Sequence, residues 1–491
     1  MDSTTSTKDP APTTFRTLVP ARLDRLPWTS FHTVVLVGLG TSWFLNGVEI
    51  QLFSQGGVVL LGSGSLGLST AQVALLPSLY LVGEMLGALV FARLADLFGR
   101  RKLFFVTLGV FIVGNLLSAI APSFWFLLVF RFIAGFGVGG EQVAIVSAID
   151  EMIPAKYRGR ANIFIGATIW VGVMVGALAG FVFYNPEIFP PNVGWRVALC
   201  VGPVLCIGVM FLRRSIPESA RWLMTHGHGA EAEKVTAGIE ARVLSHGRTL
   251  DEVPADKAIT IRTDPEKVTY WMALKVMFKR YPKRSFAALS VLTTQGFLYN
   301  AIFFTFSLVL ANFYGIEPAA LSYYIFIFGA GNALGALVGP LFDTVGRRLM
   351  MLVSYCGSGI VLAFTGWLFY INVLSALTIT LLWLVTFFIA SAGAGASYVV
   401  ASEVFPVEMR AAALSLFFVV AQAVGATGPI IFGTLIGDGT ERGPLMVGYL
   451  VAAGMVALGG VIMWFFGIEA AGKSLEDVAA PLAEVHEPTA A

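Results

Sequence analysis

Three ionisable residues stand in stretches that are otherwise apolar. They are Glu49 in Asn46-Gly47-Val48-Glu49-Ile50, Arg131 in Val129-Phe130-Arg131-Phe132, and Glu141 directly after Gly139-Gly140. A charge in such surroundings costs at least ~2.5–3.5 kcal/mol on membrane-insertion scales, so each needs a compensating role. An acid and an arginine at similar depth can pair. A second acid, left over in a low-dielectric site, is favoured in its neutral form, the condition for binding and releasing a proton near neutral pH. Glu49, Arg131 and Glu141 are the ionisable groups this reading places deep in the apolar stretches, with Arg131 the one base among them. They form a candidate proton-handling set, and Arg131 is a possible anchor for an anionic solute.

A second set is amphipathic and lies in the other half of the chain. Gln295, Tyr299 and Phe303 recur at i, i+4 and i+8, which puts them on one helix face, with Asn300 and Phe304 beside them. Tyr398, Phe417, Phe418 and Gln422 follow later, and Trp170 offers an aromatic from the first half. A few polar groups among aromatic walls suit a small flat or amphiphilic solute.

The elements that must position these residues follow from composition. Of 491 residues 56% are hydrophobic and only 13% charged, the net charge is +2 and the mean hydropathy is +0.78. Soluble domains carry about 25% charge. A soluble enzyme, a disordered chain and a basic nucleic-acid binder are excluded. Cys200, Cys206 and Cys356 lie in apolar runs and give neither a disulfide framework nor metal-ligand spacing. Stretches of about 20 apolar residues mark membrane helices. Twelve are found: 31–53, 72–92, 103–121, 124–148, 161–183, 195–212, 286–311, 319–341, 349–370, 375–401, 411–436 and 444–466. The expected fold is an all-α membrane protein with the lipid bilayer as solvent. It divides into a tail at 1–30, a six-helix bundle at 31–212, a polar linker at 213–285, a second bundle at 286–466 and a tail at 467–491.

Of the 32 Lys and Arg residues, all but Arg131, Arg196 and Arg442 fall in the tails and the even-numbered connections. By the positive-inside rule both termini and the linker are cytoplasmic, in a cell or inner membrane. Span 1 then places Glu49 roughly 27 Å from its cytoplasmic entry, and span 4 places Arg131 about 10 Å from its outer entry. Both lie in the outer half and can pair. Glu141 is about 80° further round span 4 and ~15 Å deeper, at another level of the cavity.

The halves repeat. Asp96-Leu97-Phe98-Gly99-Arg100-Arg101 after span 2 is echoed by Asp343-Thr344-Val345-Gly346-Arg347-Arg348 after span 8. Glu151-x-x-Pro154-x-x-x-Arg158 after span 4 is echoed by Glu403-x-x-Pro406-x-x-x-Arg410 after span 10. Two parallel repeats with a binding site between them near the midplane are a design for alternating access. The same offset carries Arg131 and Glu141 onto Trp383 and Gly393, so the ionisable chemistry is confined to the first half.

These motifs, with Arg131-x-x-x-Gly135-x-Gly137-x-Gly139-Gly140-Glu141 and Pro217-Glu218-Ser219-x-Arg221-Trp222-Leu223, resemble the major facilitator superfamily over roughly 31–470. Within it they are similar to the sugar-porter-like and metabolite:proton symporter branches. The resemblance implies that an acid in span 1 and an arginine in span 4, here Glu49 and Arg131, handle a proton. It also implies that the 213–285 linker forms a cytoplasmic helical bundle. At positions that contact sugar hydroxyls the sequence departs from sugar porters. Thr294 and Leu298 replace a Gln and a Gly in span 7, Gly166 a Gln in span 5, Tyr398 a Trp in span 10, and Ala421-Gln422 an Asn-Trp pair in span 11. Gln295 and Asn300 are kept.

The motifs at the cytoplasmic helix ends read as a conformational latch. Asp96 can meet the positive N-terminal end of a neighbouring helix, and Arg100 and Arg101 can fork onto Glu151 or Glu403. Arg158 and the second-half copies, Asp343, Arg347, Glu403 and Arg410, extend the set. The resemblance implies that such contacts hold the cytoplasmic side shut in an outward-open state. No cofactor or metal motif and no phosphate loop is present, and His226, His228 and His246 are too loosely spaced for a metal site. The expected function is secondary transport of a small organic solute, an aromatic or other organic acid, with proton symport by a monomer. Alternatives on the same fold are a uniporter or exporter of amphiphilic cations, a sugar:proton symporter, or a transporter-like sensor.

Overall fold

A computed structural model describes residues 14–214, 217–245, 249–262, 270–339, 341, 345–403, 405 and 410–469. Each expected span is a helix. Spans 1 to 6 are Ser30–Leu61, Thr70–Phe98, Arg100–Ala119, Phe124–Met152, Ala155–Phe183 and Pro191–Arg213. Spans 7 to 10 are Pro282–Tyr314, Leu321–Ala336, Arg347–Tyr370 and Ala376–Glu403. Span 11 is two helices, Arg410–Gly425 and Thr427–Ile436, and span 12 is Gly443–Phe466. Among the described residues, eleven of the spans are long and apolar enough to cross a membrane, span 8 being shorter. Span 11 breaks at Ala426, where Pro429 brings no N–H to the carbonyl of Gly425 one turn earlier.

Sequence signals set several ends. Ser69 accepts from the backbone N–H of Gln72 while the Gln72 side chain accepts from the Ser69 N–H, a capping box that starts span 2. Gly99 and Gly346, with φ of +89° and +107°, make the sharp turns that start spans 3 and 9.

Without a hydrophobic drive inside lipid, helices associate where small residues let backbones approach. Spans 2 and 4 meet this way, since a methyl group at Gly139 would strike the carbonyl of Glu84. Spans 1 and 5 do likewise at Gly47, which faces the carbonyl of Ile169. These two seams hold Glu84 and Glu49 at fixed positions in the first half.

Residues 1–30 were expected to form a tail without an apolar core; its described part, from Thr14, instead packs on the linker. Thr14–Thr17 pairs antiparallel with Ile259–Arg262 of the linker, a small exception to an all-helical chain. Helix Val19–Asp24 buries Val19 and Leu23 against Leu223, Met224, Ile239 and Val243 of the linker. Arg22 and Arg25 both reach Glu240, and Arg221 bonds Asp24 at 2.8 Å. This N-terminal segment and the linker therefore share one face of the bundle, the linker side; the opposite face is the far side.

The two halves meet from the far side inward. Gln55 of span 1 donates to the carbonyl of Pro318 at 2.6 Å and to Ser322 Oγ at 2.9 Å. Asn312 of span 7 donates to Thr70 Oγ1 at 3.4 Å, and Phe181 packs edge-on to Tyr323. These contacts reach as far as Trp170 and Glu84, near the middle of their helices. Closer to the linker side, Tyr398 is 40% exposed. The halves are closed together at the far side.

Candidate functional site

Arg131 projects from span 4 to span 1 and donates through Nη1 to Glu49 Oε1 and, at 2.9 Å, to Asn115 Oδ1 of span 3. Glu49 and Arg131 are each 1% exposed. Tyr80 of span 2 donates to Glu49 Oε2 at 3.4 Å and lies 3.3 Å from Asn46 Oδ1. The guanidinium sits 3.9 Å from the centroid of the Phe53 ring and 4.5 Å from that of Tyr80, close enough for cation–π attraction. The expected pair is thus made, in a dry shell of aromatic rings and neutral hydrogen-bonding groups.

Glu141 is not the leftover acid expected of it. Arg213, the last residue of span 6 and only 1% exposed, brings Nη2 to 2.9 Å from Glu141 Oε1. Arg213 also donates to Ser42 Oγ at 2.5 Å and stacks 4.3 Å over Phe104. Arg131 is therefore not the one buried base. The helix continues past the apolar run and folds Arg213 back between spans 1, 3 and 4.

Nor are Glu49 and Glu141 the only buried acids. Glu84 of span 2, 3% exposed, accepts from Gln142 Nε2 at 2.9 Å and from Gln422 Nε2 at 2.7 Å. Among the described residues no cation lies within ion-pair distance of it. Gln142 belongs to the first half and Gln422 to the second, so this carboxyl is held by both.

Hydrogen bonds tie the second-half residues of span 7 to spans 8 and 10. Tyr299 Oη is 2.7 Å from Ser391 Oγ, which donates in turn to Asn332 Oδ1 at 2.8 Å. Gln295 Oε1 accepts from Ser397 Oγ at 2.8 Å, one residue before Tyr398. Trp170 lies 6.0 Å from Tyr299 and 6.1 Å from Phe303 between ring centroids, so three aromatics from both halves meet at one point. Asn300 packs over Gly425 at the break in span 11. Phe417 is buried against Phe405 in the packing of spans 7 and 11. Gly166, at a sugar-porter Gln position, faces open space. Trp383, at the repeat position of Arg131, is buried against Phe306 and Tyr449, so aromatic packing replaces charge in the second half.

The sequence matches the description "Sugar (and other) transporter" over residues 40–481. The chain belongs to the sugar (and other) transporter family. Its relatives are transporters, not enzymes. It is 30% identical over 220 residues to the niacin transporter NiaP of Acinetobacter baylyi, covering 45% of this chain and about half, 48%, of that one. It is 25% identical over 493 residues to polyol transporter 5 of Arabidopsis thaliana, covering 94% and 87%. The solved xylose transporter XylE from E. coli, in a partially occluded inward-open conformation, superposes with a TM-score of 0.70 at 19% identity, covering 91% of this chain and 100% of that one. The fold is that of the major facilitator superfamily.

In this transporter Arg100 at the linker side is bonded within the first half. Arg100 Nη2 lies 2.7 Å from Glu151 Oε1, and its Nη1 donates to the carbonyl of Ala95 at 3.0 Å. The start of span 3 is met by Glu218, whose carboxylate accepts from the backbone N–H groups of Arg100 at 3.0 Å and Arg101 at 3.2 Å. Asp96 was expected near such a helix end. Its side chain, like those of Arg158, Glu403 and Arg410, lies outside the described residues, as does Asp343 altogether. Glu469 repeats the device in the second half, accepting from the N–H groups of Arg347 at 3.0 Å and Arg348 at 3.1 Å. A carboxylate on the exposed N–H groups of a helix start satisfies orphan donors and the positive end of the dipole. Glu218 stands in a quoted motif, but its partner helix was not legible there.

Proposed function

We propose that this transporter moves a small organic acid across the cell membrane by alternating access, with proton entry coupled through Glu49 and Arg131 and the linker side facing the cytoplasm. The observation that carries this reading is the Glu49–Arg131 pair, 1% exposed on both sides. Two opposite charges removed from water gain little stability over an apolar pair, so a role in function is the better account. Protonating Glu49 releases a cationic guanidinium whose other partners, Asn115 and two aromatic rings, are neutral. That charge is then available to a solute anion or to a changed packing of spans 1 and 4. Glu141, neutralised by Arg213, supports the fold of the cavity in this reading and is not the coupling acid.

The solute lies between the halves, against Trp170, Tyr299 and Phe303, with Gln295, Asn300, Tyr398 and Gln422 as polar contacts. Three aromatics at one point favour a flat solute. The relative named a niacin transporter supports an aromatic acid, since niacin is a pyridine carboxylate. Gly166, facing open space, brings no amide to the position where sugar porters carry a Gln. A second reading, a polyol or pentose, has the relatives named a polyol transporter and a D-xylose transporter in its favour. The linker-side residues Asp96, Arg100, Arg101, Glu151, Arg158, Asp343, Arg347, Glu403 and Arg410 act as the latch that sets which side opens.

Uptake into proteoliposomes holding the purified protein separates the readings. Nicotinate or benzoate uptake is expected to rise with an inward proton gradient and to be competed by other aromatic acids, not by xylose. Concentrative xylose or polyol uptake without acid uptake would overturn the solute class.

A further inference from the structure

Two side chains on facing halves are buried with polar atoms that meet no partner among the described residues. They are Gln51 of span 1, 2% exposed, through Nε2, and Ser307 of span 7, 1% exposed, through Oγ. Both line one narrow crevice between the halves, with Ser54 of span 1, Phe303 of span 7 and Phe328 of span 8. Gln51 lies one turn before Gln55 on the same face of span 1, just inside the Gln55 contacts to Pro318 and Ser322 that close the far side. Ser307 lacks the usual bond of a helical hydroxyl. Thr305, two residues earlier, donates to the carbonyl of Ala301 at 2.5 Å, whereas the corresponding carbonyl for Ser307, that of Phe303, accepts from Ser54 Oγ at 3.4 Å. The crevice admits no water molecule in this far-side-closed conformation, so neither donor is hydrated there. A buried donor without an acceptor costs free energy, and native structures hold few of them.

We propose that Gln51 and Ser307 hold the carboxylate of the solute between the two halves. The inference rests on the organic-acid reading of the proposed function and names the polar end of that site. Phe303 joins the two ends, since it lines the crevice and also meets Trp170. A one-ring acid set against Trp170, Tyr299 and Phe303 therefore points its carboxylate along span 7 toward Ser307, about two turns beyond Tyr299. Both orphan groups donate. A carboxylate supplies two acceptor oxygens, one for the amide from the first half and one for the hydroxyl from the second. Bonds to a charged acceptor are among the stronger polar contacts available. The walls belong to different halves, so the crevice parts as the far side opens and the donors meet the solute there. Closure around a carboxylate satisfies both donors; closure without one buries them unpaired. The loaded carrier is thereby favoured over the empty one in closing the far side, the order that uptake from that side needs. Arg131, turned toward Glu49 and Asn115, is then left to the changed packing of spans 1 and 4.

Calorimetric titration of nicotinate or benzoate into the detergent-purified full chain, with the melting temperature measured alongside, tests this. Gln51→Leu and Ser307→Ala should each weaken binding of the acid by about tenfold or more, the scale of one bond to a charged group. Without added acid each should melt no lower than the unmodified protein, since the group removed is a donor without a partner. Ser307→Ala, the smaller change, carries the test should Gln51→Leu not fold. Either variant binding the acid as tightly as the unmodified protein would overturn the proposal. So would a loss of affinity that comes with a lowered melting temperature, the mark of a structural role. An unmodified protein that binds xylose and no aromatic acid would instead remove the solute reading, and the carboxylate site with it.

Discussion

Arg131 donates to Glu49 between spans 4 and 1, and neither side chain reaches water. Removing one member of such a pair strands the other. Arg131→Ala should therefore destabilise the purified protein by about 3–5 kcal/mol, read as a lowered melting temperature. Glu49→Gln keeps the shape and a hydrogen-bond acceptor, so it should cost less. The double substitution should melt above Arg131→Ala alone, because it leaves no uncompensated acid; additive losses would argue against a direct pair.

Arg213 and Glu141 form the second pair and make an analogous case with a different partner list. Arg213→Ala leaves Glu141 buried without a cation and Ser42 without its donor, and should also cost about 3–5 kcal/mol. Arg213→Met combined with Glu141→Leu should recover most of that loss in the same melting experiment. Equal melting of Arg213→Ala and the unmodified protein would show that Glu141 is not held by Arg213.

Glu218 and Glu469 cap spans 3 and 9 in matching fashion. Each substituted by Ala should lower stability by roughly 0.5–2 kcal/mol, as for loss of other helix caps, with hydrogen exchange rising at residues 100–102 or 347–349 respectively. Exchange that rises at the far ends of those helices instead would locate the effect elsewhere.

Much of this was legible in the sequence, for reasons that also explain the misses. The spans were legible because apolar runs of membrane length interrupted by basic clusters leave little choice of boundary. Glu49 and Arg131 were legible because each stands alone in such a run at matching depth. Glu84 stands in one too, but its partners are 58 and 338 residues away in sequence, and an acid flanked by Val82, Gly83 and Met85 carries no local sign of them. Arg213 was hidden by its neighbour Arg214, which made it look like the start of the linker. The N-terminal segment was hidden by length, since a four-residue strand shows no pattern until Ile259–Arg262 pairs with it.

That segment has a pH dependence of its own. Hydrogen bonding to Arg22, with Arg25 adding to it, holds the Glu240 carboxyl below the usual carboxylate range against the opposing effect of burial. A group with a lowered folded value stabilises above its unfolded value and loses that contribution as the pH falls through the folded one. Docking of residues 14–25 on the linker should therefore survive at mildly acidic pH and weaken only below the ordinary carboxylate range. Limited proteolysis of the N-terminal segment across pH checks this. In Glu240→Gln, cleavage should be fast even at neutral pH; protection unchanged in that variant would separate docking from the ion pairs.

The central claim is that the Glu49 carboxyl carries the coupled proton. The most direct measurement compares concentrative uptake with counterflow in proteoliposomes holding Glu49→Gln, using whichever aromatic acid the unmodified protein accumulates. A glutamine resembles the protonated acid in size and neutrality but cannot exchange a proton. Uphill accumulation should be abolished while counterflow, which needs only the loaded carrier to reorient, persists. Accumulation in Glu49→Gln with the pH dependence of the unmodified protein would contradict the account.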